Sequence, residues 1–283
     1  MPRVGIVTDS TCDLGPAILD ELDVRMVSLK VLFGQDSFLD WTDLEPEAFF
    51  EKLAVSPVLP KTSQPSPAEF LATYKALALE GCEAIVSVHL TGALSGTMSS
   101  ALMAAEDSPI PVYCVDTKTV SQALGLVVRA TVDAREAGLE AEAVAARAQE
   151  VADSARLYFM LDTLEYLVKG GRAGKAQGLA ASVLGIKPVL TMNDEGIIEP
   201  FKKVKGRKRG IAEMASKVAL DAAAMGPLRA AILHGCLEDC GQELVDEIAA
   251  TGASVEIISR GRVGAVIGTY AGPGAIGIAY YPA

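Results

Sequence analysis

Two histidines in 283 residues leave the chain short of ordinary proton-transfer machinery. A serine or cysteine nucleophile needs a base within hydrogen-bond reach, and only His89 and His234 are present. His89 closes an apolar run and reads as a packed core residue. The nucleotide signatures are missing as well: no G-x-x-x-x-G-K-[ST] occurs, and no G-x-G-x-x-G follows the first strand pattern. Basic residues are outnumbered 25 to 36, for a formal charge of −11, which speaks against nucleic acid as the main partner. No apolar run reaches membrane-spanning length, since "ALGLVVRATV" is broken by Arg129. The opening "MPRVGIVTDS" enters a strand pattern without a basic-then-apolar leader, so the cytoplasm is the expected setting. Repeats and low-complexity segments are lacking.

Five cysteines are an odd number, and Cys82 and Cys114 sit in apolar contexts, as expected of reduced thiols rather than a disulfide frame. His234, Cys236 and Cys240 in "HGCLEDCG" resemble a metal site superficially. Cys236 and Cys240 would lie one helical turn apart, but no second ligand pair is nearby, and neither a metal nor a cofactor is expected.

What the chain does have is a large apolar share, 50%, against 22% charged, enough to bury one large core or two of ordinary size. Strand-like runs alternate with helical ones. "VGIVTD" and "CEAIVSVHL" are apolar at nearly every position, as parallel strands buried on both faces are. "SPAEFLATYKALALEG" opens with Ser66 and Glu69 in capping-box spacing and Pro67 at the first helical position. "DLEPEAFFEKLA" reads as a helix with Asp43 as a candidate cap, and two alanine-rich helices fill Ser121 to Ala155. After Arg156 the texture changes. "KPVLTMNDEGIIEPFKKV" reads as an antiparallel hairpin turning at Asn193–Gly196, "AQGLAASVLG" as a small-residue helix, and a helix is expected over Glu238 to Ala250. The pattern predicts an α/β protein of two α/β domains: residues 1–156 with a three-layer parallel sheet, and residues 157–283 with a mixed sheet and helices.

In an open parallel sheet, ligands settle at the carboxyl ends of strands. Three loops are expected there: "TDSTCDL" (8–14), "KTSQPSP" (61–67) and "TGALSGT" (91–97), all rich in Ser and Thr. A loop leading into a helix N-terminus suits an anion. Ser95 offers a hydroxyl there, Gly96 a close backbone approach, and Thr62 a second hydroxyl, so together they would hold one carboxylate or phosphate. The plainer reading is that these residues only cap helices; Asp9, Asp13 and Asp116 read as acids or as caps, with capping the preferred reading.

Six segments, in order, resemble one family: "VGIVTDSTCDL", "KTSQPSPAEF", "LSGTMSSA", "VDTKTVSQALG", "LEYLVKGGRAGKAQG…LGIKPVL" and "GTYAGPGAIGIAY". They look like the DegV family, also called FakB, and the likeness runs from Arg3 to Tyr280. It implies a two-domain fold holding a long-chain fatty acid such as palmitate between the domains. It also implies a carrier that presents the acid to a separate fatty acid kinase, which phosphorylates the carboxylate to an acyl phosphate; the chain itself would not be an enzyme. By the same resemblance, Thr62 and Ser95 fall where the family hydrogen-bonds the carboxylate, with Gly96 in support. Arg172 of "GGR" falls where the family has an arginine involved in the kinase step. The chain departs from the pattern at Tyr270, where many members have a histidine ahead of "GPG". A phenol donates a hydrogen bond but carries no positive charge near neutral pH.

The energetics allow such a ligand. About fourteen methylenes at about 0.8 kcal/mol each give roughly 11 kcal/mol gross, and each hydrogen bond to a charged head adds about 1.5–3 kcal/mol before desolvation. The run "KKVKGRKRG" (202–210) stands out against the acidic background. It reads as a solvated turn, or as a patch for an acidic partner or for transient contact with anionic lipid headgroups. Two alternatives remain at this stage: an enzyme acting on a small phosphorylated or carboxylated metabolite at the same loops, and a DNA-binding regulator using the basic run.

Overall fold

The computed structural model describes residues 3–179, 186–236 and 240–283. Its first sheet is four-stranded and wholly parallel, in the order β2-β1-β6-β7, from β1 (Val4–Asp9), β2 (Val24–Val27), β6 (Ala84–His89) and β7 (Val112–Asp116). β1 is buried at every position, which is why its sequence shows no polar alternation. A small antiparallel sheet, β4-β3-β5, is built from β3 (Lys30–Phe33), β4 (Asp36–Leu39) and β5 (Lys61–Ser63). All remaining strands follow residue 155 and form a six-stranded mixed sheet, β10-β9-β8-β13-β11-β12. They are β8 (Arg156–Met160), β9 (Ile186–Met192), β10 (Ile198–Lys205), β11 (Leu228–His234), β12 (Val255–Arg262) and β13 (Ile276–Pro282), and only β11 and β12 pair in parallel.

The first half carries the helices α1 (Gly15–Glu21), α2 (Pro46–Val55), α3 (Pro67–Leu79), α4 (Thr97–Glu106), α5 (Gln122–Glu136) and α6 (Ala141–Ser154); the second carries α7 (Glu165–Lys169), α8 (Arg207–Met225), α9 (Gln242–Ala250) and α10 (Ala265–Ala271). α3 starts with the expected capping box, the Ser66 hydroxyl accepting from the Glu69 amide and the Glu69 carboxylate from the Ser66 amide. α5 packs against β1 and β6 on one side and β11 and β13 on the other. Eleven of its fifteen positions are buried, far more than an amphipathic surface helix would bury. One hydrophobic cluster therefore runs from Val86 and Val88 through Leu124 and Val128 to Leu157, Phe159 and Leu233. Residues of β8 alternate with period two: Leu157 and Phe159 join this shared core, Tyr158 and Met160 the core beneath α8 and α9. The parallel sheet with helices on both faces, followed by a mixed sheet with helices, is the α/β architecture expected from the sequence.

Several local expectations need correction. Asp43 does not cap α2, which begins after Glu45 without a side-chain cap; the Asp43 carboxylate accepts from the Leu39 amide instead. The small-residue segment is a 3-10 helix over Gly174–Leu179, and its continuation over residues 180–185 lies outside the described residues. α9 begins at Gln242, and 237–239 likewise lie outside the described residues. α10 has no counterpart in the sequence reading. Cys236 and Cys240 are not on one helix and are not reduced: they form a disulfide with Cα atoms 6.1 Å apart, inside the range a disulfide spans. Cys12, Cys82 and Cys114 are free.

Candidate functional site: a cavity between two sheets

The parallel sheet changes winding direction between β1 and β6, because β2 lies on one side of β1 while β6 and β7 lie on the other. Crevices at such switch points, at the carboxyl ends of the strands, are where open α/β sheets bind ligands. The loops 8–14 and 91–97 leave from that edge. The third loop belongs elsewhere: Thr62 sits in β5 of the small antiparallel sheet, its backbone paired with Val31, and that sheet brings it to the same opening.

A cavity of about 290 Å³ lies there, near the lower end of the ~300–1,000 Å³ typical of small-molecule sites. Leu90 and Leu94 wall it from the parallel-sheet side, Leu157, Phe159, Leu161 and Leu233 from the six-stranded sheet, and Val266 and Ile267 of α10 close it over. A larger hollow of about 640 Å³ is lined by Lys118, Asp153, Arg156, Asp194 and Glu199 among others. Its mixed charges offer no apolar slot.

Much of the polar lining of the first cavity gathers around Tyr270, while Ser121 lines it as well. The Thr62 and Tyr270 hydroxyls are 2.5 Å apart, so the pair shares one hydrogen and leaves the other free to donate. The Arg172 guanidinium lies 5.1 Å over the Tyr270 ring, within cation–π range. It also donates to the carbonyls of Gly170 (2.8 Å) and Leu94 (3.3 Å), the latter adjacent to Ser95. Gly170 is needed for this stack, since a Cβ there would come within 2.5 Å of Tyr270 Cδ1. Ser95 Oγ accepts from the Thr97 amide and lies 2.8 Å from Thr97 Oγ1; it precedes the N-cap of α4 and also lines the cavity. Gly96, the N-cap of α4, is covered by Gln64, whose Oε1 would lie 2.3 Å from an added Cβ. Thr62, Ser95, Arg172 and Tyr270 thus share one cavity, with Gly96 beside it.

Sequence reasoning missed what holds Tyr270 in place. The N-terminus of α10 rests on two buried carboxylates: Asp13 Oδ1 accepts from the Gly264 amide (2.8 Å), and Asp40 Oδ1 from Ala265 (2.8 Å) and Val266 (3.3 Å). The Ser121 hydroxyl donates to Asp13. Ser121 itself has φ 58°, a conformation costly for a residue with a side chain and often found at binding sites. Burial pushes Asp13 well above the ordinary carboxylate range and raises Asp40 to about 7, against the lowering effect of the backbone amides. The only forewarning was Asp13 in the loop 8–14.

The remaining candidates lie apart from the cavity. His89 bonds Asp9 through Nδ1 (3.0 Å) and Ser87 through Nε2 (2.7 Å), an Asp–His–Ser arrangement, but all three are fully buried, with the ring against Phe70 and Ser87 also bonded to Tyr74. No substrate reaches that serine, and His89 is the packed core residue it was read to be. Asp9 caps Thr11, and Asp116 accepts from Gly92 and Lys118.

This architecture has relatives. A family model described as "Uncharacterised protein, DegV family" matches residues 3–283. A DegV domain-containing protein of Streptomyces coelicolor is 36% identical over 277 residues, covering 98% of this chain and 97% of its own; Protein DegV of Bacillus subtilis is 33% identical, covering 98% and 99%. Among solved structures, a fatty-acid-binding DegV family protein from Thermus thermophilus superposes with a TM-score of 0.93 at 36% identity, covering 99% of this chain and 100% of its own. The fatty acid binding protein DegV from Bacillus subtilis superposes with 0.90 at 31%, covering 100% of both. A stearic acid-binding protein from Eubacterium ventriosum gives 0.88 at 28%, covering 100% and 98%. These three solved structures are described as those of fatty-acid-binding proteins. With the family model spanning nearly every residue and the fold matched end to end, the chain belongs to the DegV family.

Proposed function

We propose that this chain binds one long-chain fatty acid in the 290 Å³ cavity, between a domain over residues 1–156 and another over 157–283. The carboxylate lies against Thr62, Ser95 and Tyr270, with the Gly96 amide in support. The observation that carries the reading is the meeting of Thr62, Ser95, Arg172 and Tyr270 on a cavity lined mostly by aliphatic side chains. Ser95 can accept from the Thr97 amide while donating its own hydrogen to a carboxylate. Tyr270 supplies a neutral donor where the family resemblance implies a histidine, and Arg172 lies over its ring.

The protein acts as a carrier in the cytoplasm, presenting the carboxylate to a separate fatty acid kinase that converts it to an acyl phosphate. Arg172, half-buried beside Tyr270, serves that encounter. In the basic run, Lys203, Lys205, Lys208 and Arg209 are exposed while Lys202 pairs with Glu213 and Arg207 with Glu243. This surface suits an acidic partner or brief contact with anionic headgroups during acid exchange. Solvent extraction and mass spectrometry of the purified protein tests the reading: one long acyl chain per protein is expected. An extract free of acyl chains, from protein that also fails to take up added palmitate, overturns it.

A further inference from the structure

β11 ends at His234, and the chain then runs through Gly235 to Cys236, with Cys240 four residues on. The His234 ring nitrogen and both sulfurs lie within 4.8 Å of one another. The backbone from His234 to Cys236 is pinned. The Val263 amide donates to His234 O (2.9 Å), Gly235 N to Ala275 O (2.8 Å), Gly274 N to Gly235 O (3.1 Å), and Arg262 Nε to Cys236 O (3.0 Å). His234 is buried while Cys236 and Cys240 are half-buried, so the sulfurs are within reach of solutes. The fatty-acid site uses none of the three side chains.

Two thiolates and one imidazole form a ligand set suited to a borderline-soft d10 ion, with a fourth position left for water. Around a tetrahedral ion with Zn–S of about 2.3 Å and Zn–N of about 2.0–2.1 Å, neighbouring donor atoms sit roughly 3.4–3.8 Å apart. The three ligand atoms already lie within 4.8 Å of one another, close to that spacing. Mg²⁺ and Ca²⁺, which require oxygen ligands, do not fit.

We propose that His234, Cys236 and Cys240 form a Zn²⁺ site whose occupancy is controlled by the thiol state of the two cysteines. In the oxidised protein the sulfurs are spent on the Cys236–Cys240 bond. A dithiol reductant transfers two electrons and two protons to that bond, becoming a disulfide itself and leaving two protein thiols. Zn²⁺ then displaces the two thiol protons. In reverse, a small-molecule disulfide takes two electrons from the bound thiolates and two protons from solvent, forms two thiols, and releases Zn²⁺ as the Cys236–Cys240 bond closes.

The test uses the full chain, reduced under anaerobic conditions and compared with the same chain oxidised, with Zn²⁺ competed against a chromophoric chelator. The reduced protein should bind one Zn²⁺ per chain at least about 100-fold more tightly than the oxidised protein or the Cys236→Ser/Cys240→Ser double variant, which keeps the other three cysteines. Co²⁺ in place of Zn²⁺ should give thiolate-to-metal charge transfer and the intense visible bands of a tetrahedral site, both lost in the double variant. His234→Gln should weaken Zn²⁺ at least about tenfold; if it fails to fold, the cysteine variants decide alone. Equal Zn²⁺ affinity of the reduced protein and the double variant, or a six-coordinate Co²⁺ spectrum, overturns the proposal.

Discussion

Replacing Thr62 with valine removes one hydroxyl and almost nothing else. The side chain stays β-branched, which suits its place in β5, and the half-buried Tyr270 hydroxyl can turn to water. What is lost is one member of the hydroxyl pair facing the carboxylate. A hydrogen bond to a charged group is worth about 1.5–3 kcal/mol, or roughly a 10- to 150-fold rise in Kd. The tail contributes separately, at about 0.8 kcal/mol per methylene, so the loss is equivalent to shortening the acid by about two to four carbons. Displacement of a fluorescent fatty acid by dodecanoic, tetradecanoic and hexadecanoic acids separates the two effects. Affinity should rise with chain length equally in both proteins, with Thr62→Val displaced by a constant factor. A change below about twofold at every length would refute the placement of the head group, since it falls well short of the roughly 10-fold expected for a hydrogen bond to a charged group. A factor that grows with chain length would place Thr62 against the tail.

Ala271→Phe adds a ring to a cavity of about 290 Å³, and a cavity of about 150 Å³ is enough to hold a benzene, so hexadecanoic acid should be excluded while decanoic acid still competes in the same displacement assay, and unchanged length preference would contradict the tail's assigned path. Gly170→Ala drives a Cβ into the Tyr270 ring and should weaken acid binding by about tenfold or more, comparable to losing one hydrogen bond, as calorimetry would read. Arg172→Ala should leave acid retention within about tenfold and largely abolish phosphorylation by a fatty acid kinase; normal phosphorylation would remove Arg172 from that step. Asp40 holds its proton to about pH 7 in the folded chain but loses it near 3.8 when unfolded. The folded state therefore binds the extra proton between those values, and stability falls as pH rises through that window, by up to about 4 kcal/mol at 1.36 kcal/mol per unit. Asp13, buried at the same helix end and raised as well, adds to the slope, so Asp40→Asn should reduce it in urea unfolding from pH 4 to 8 without abolishing it, and an unchanged slope would show that Asp40 is not one of its sources.

The strands of the parallel sheet were legible because burial on both faces leaves an unbroken apolar run, as in β1 and β6. Ser66, Pro67 and Glu69 marked the start of α3 because capping chemistry is local. α10 was not legible: it spans seven residues, contains two β-branched apolar residues and a glycine, and its N-terminus is satisfied by Asp13 and Asp40, more than 220 residues away in the chain. The Cys236–Cys240 pair was misread because a spacing of four suits both a helical turn and a bridged loop. Thr62 and Ser95 were legible as hydroxyls near helix starts. Their meeting with Tyr270 and Arg172 was not, because it depends on how the six-stranded sheet packs across α5.

Native mass spectrometry of the delipidated chain titrated with hexadecanoic acid tests the central claim most directly. A single adduct with the mass of one acid per protein, reduced in Thr62→Val and abolished for this chain length in Ala271→Phe, is the predicted result. A spectrum that stays at the mass of the bare chain, or adducts that accumulate without saturating at one, would contradict a built fatty-acid site.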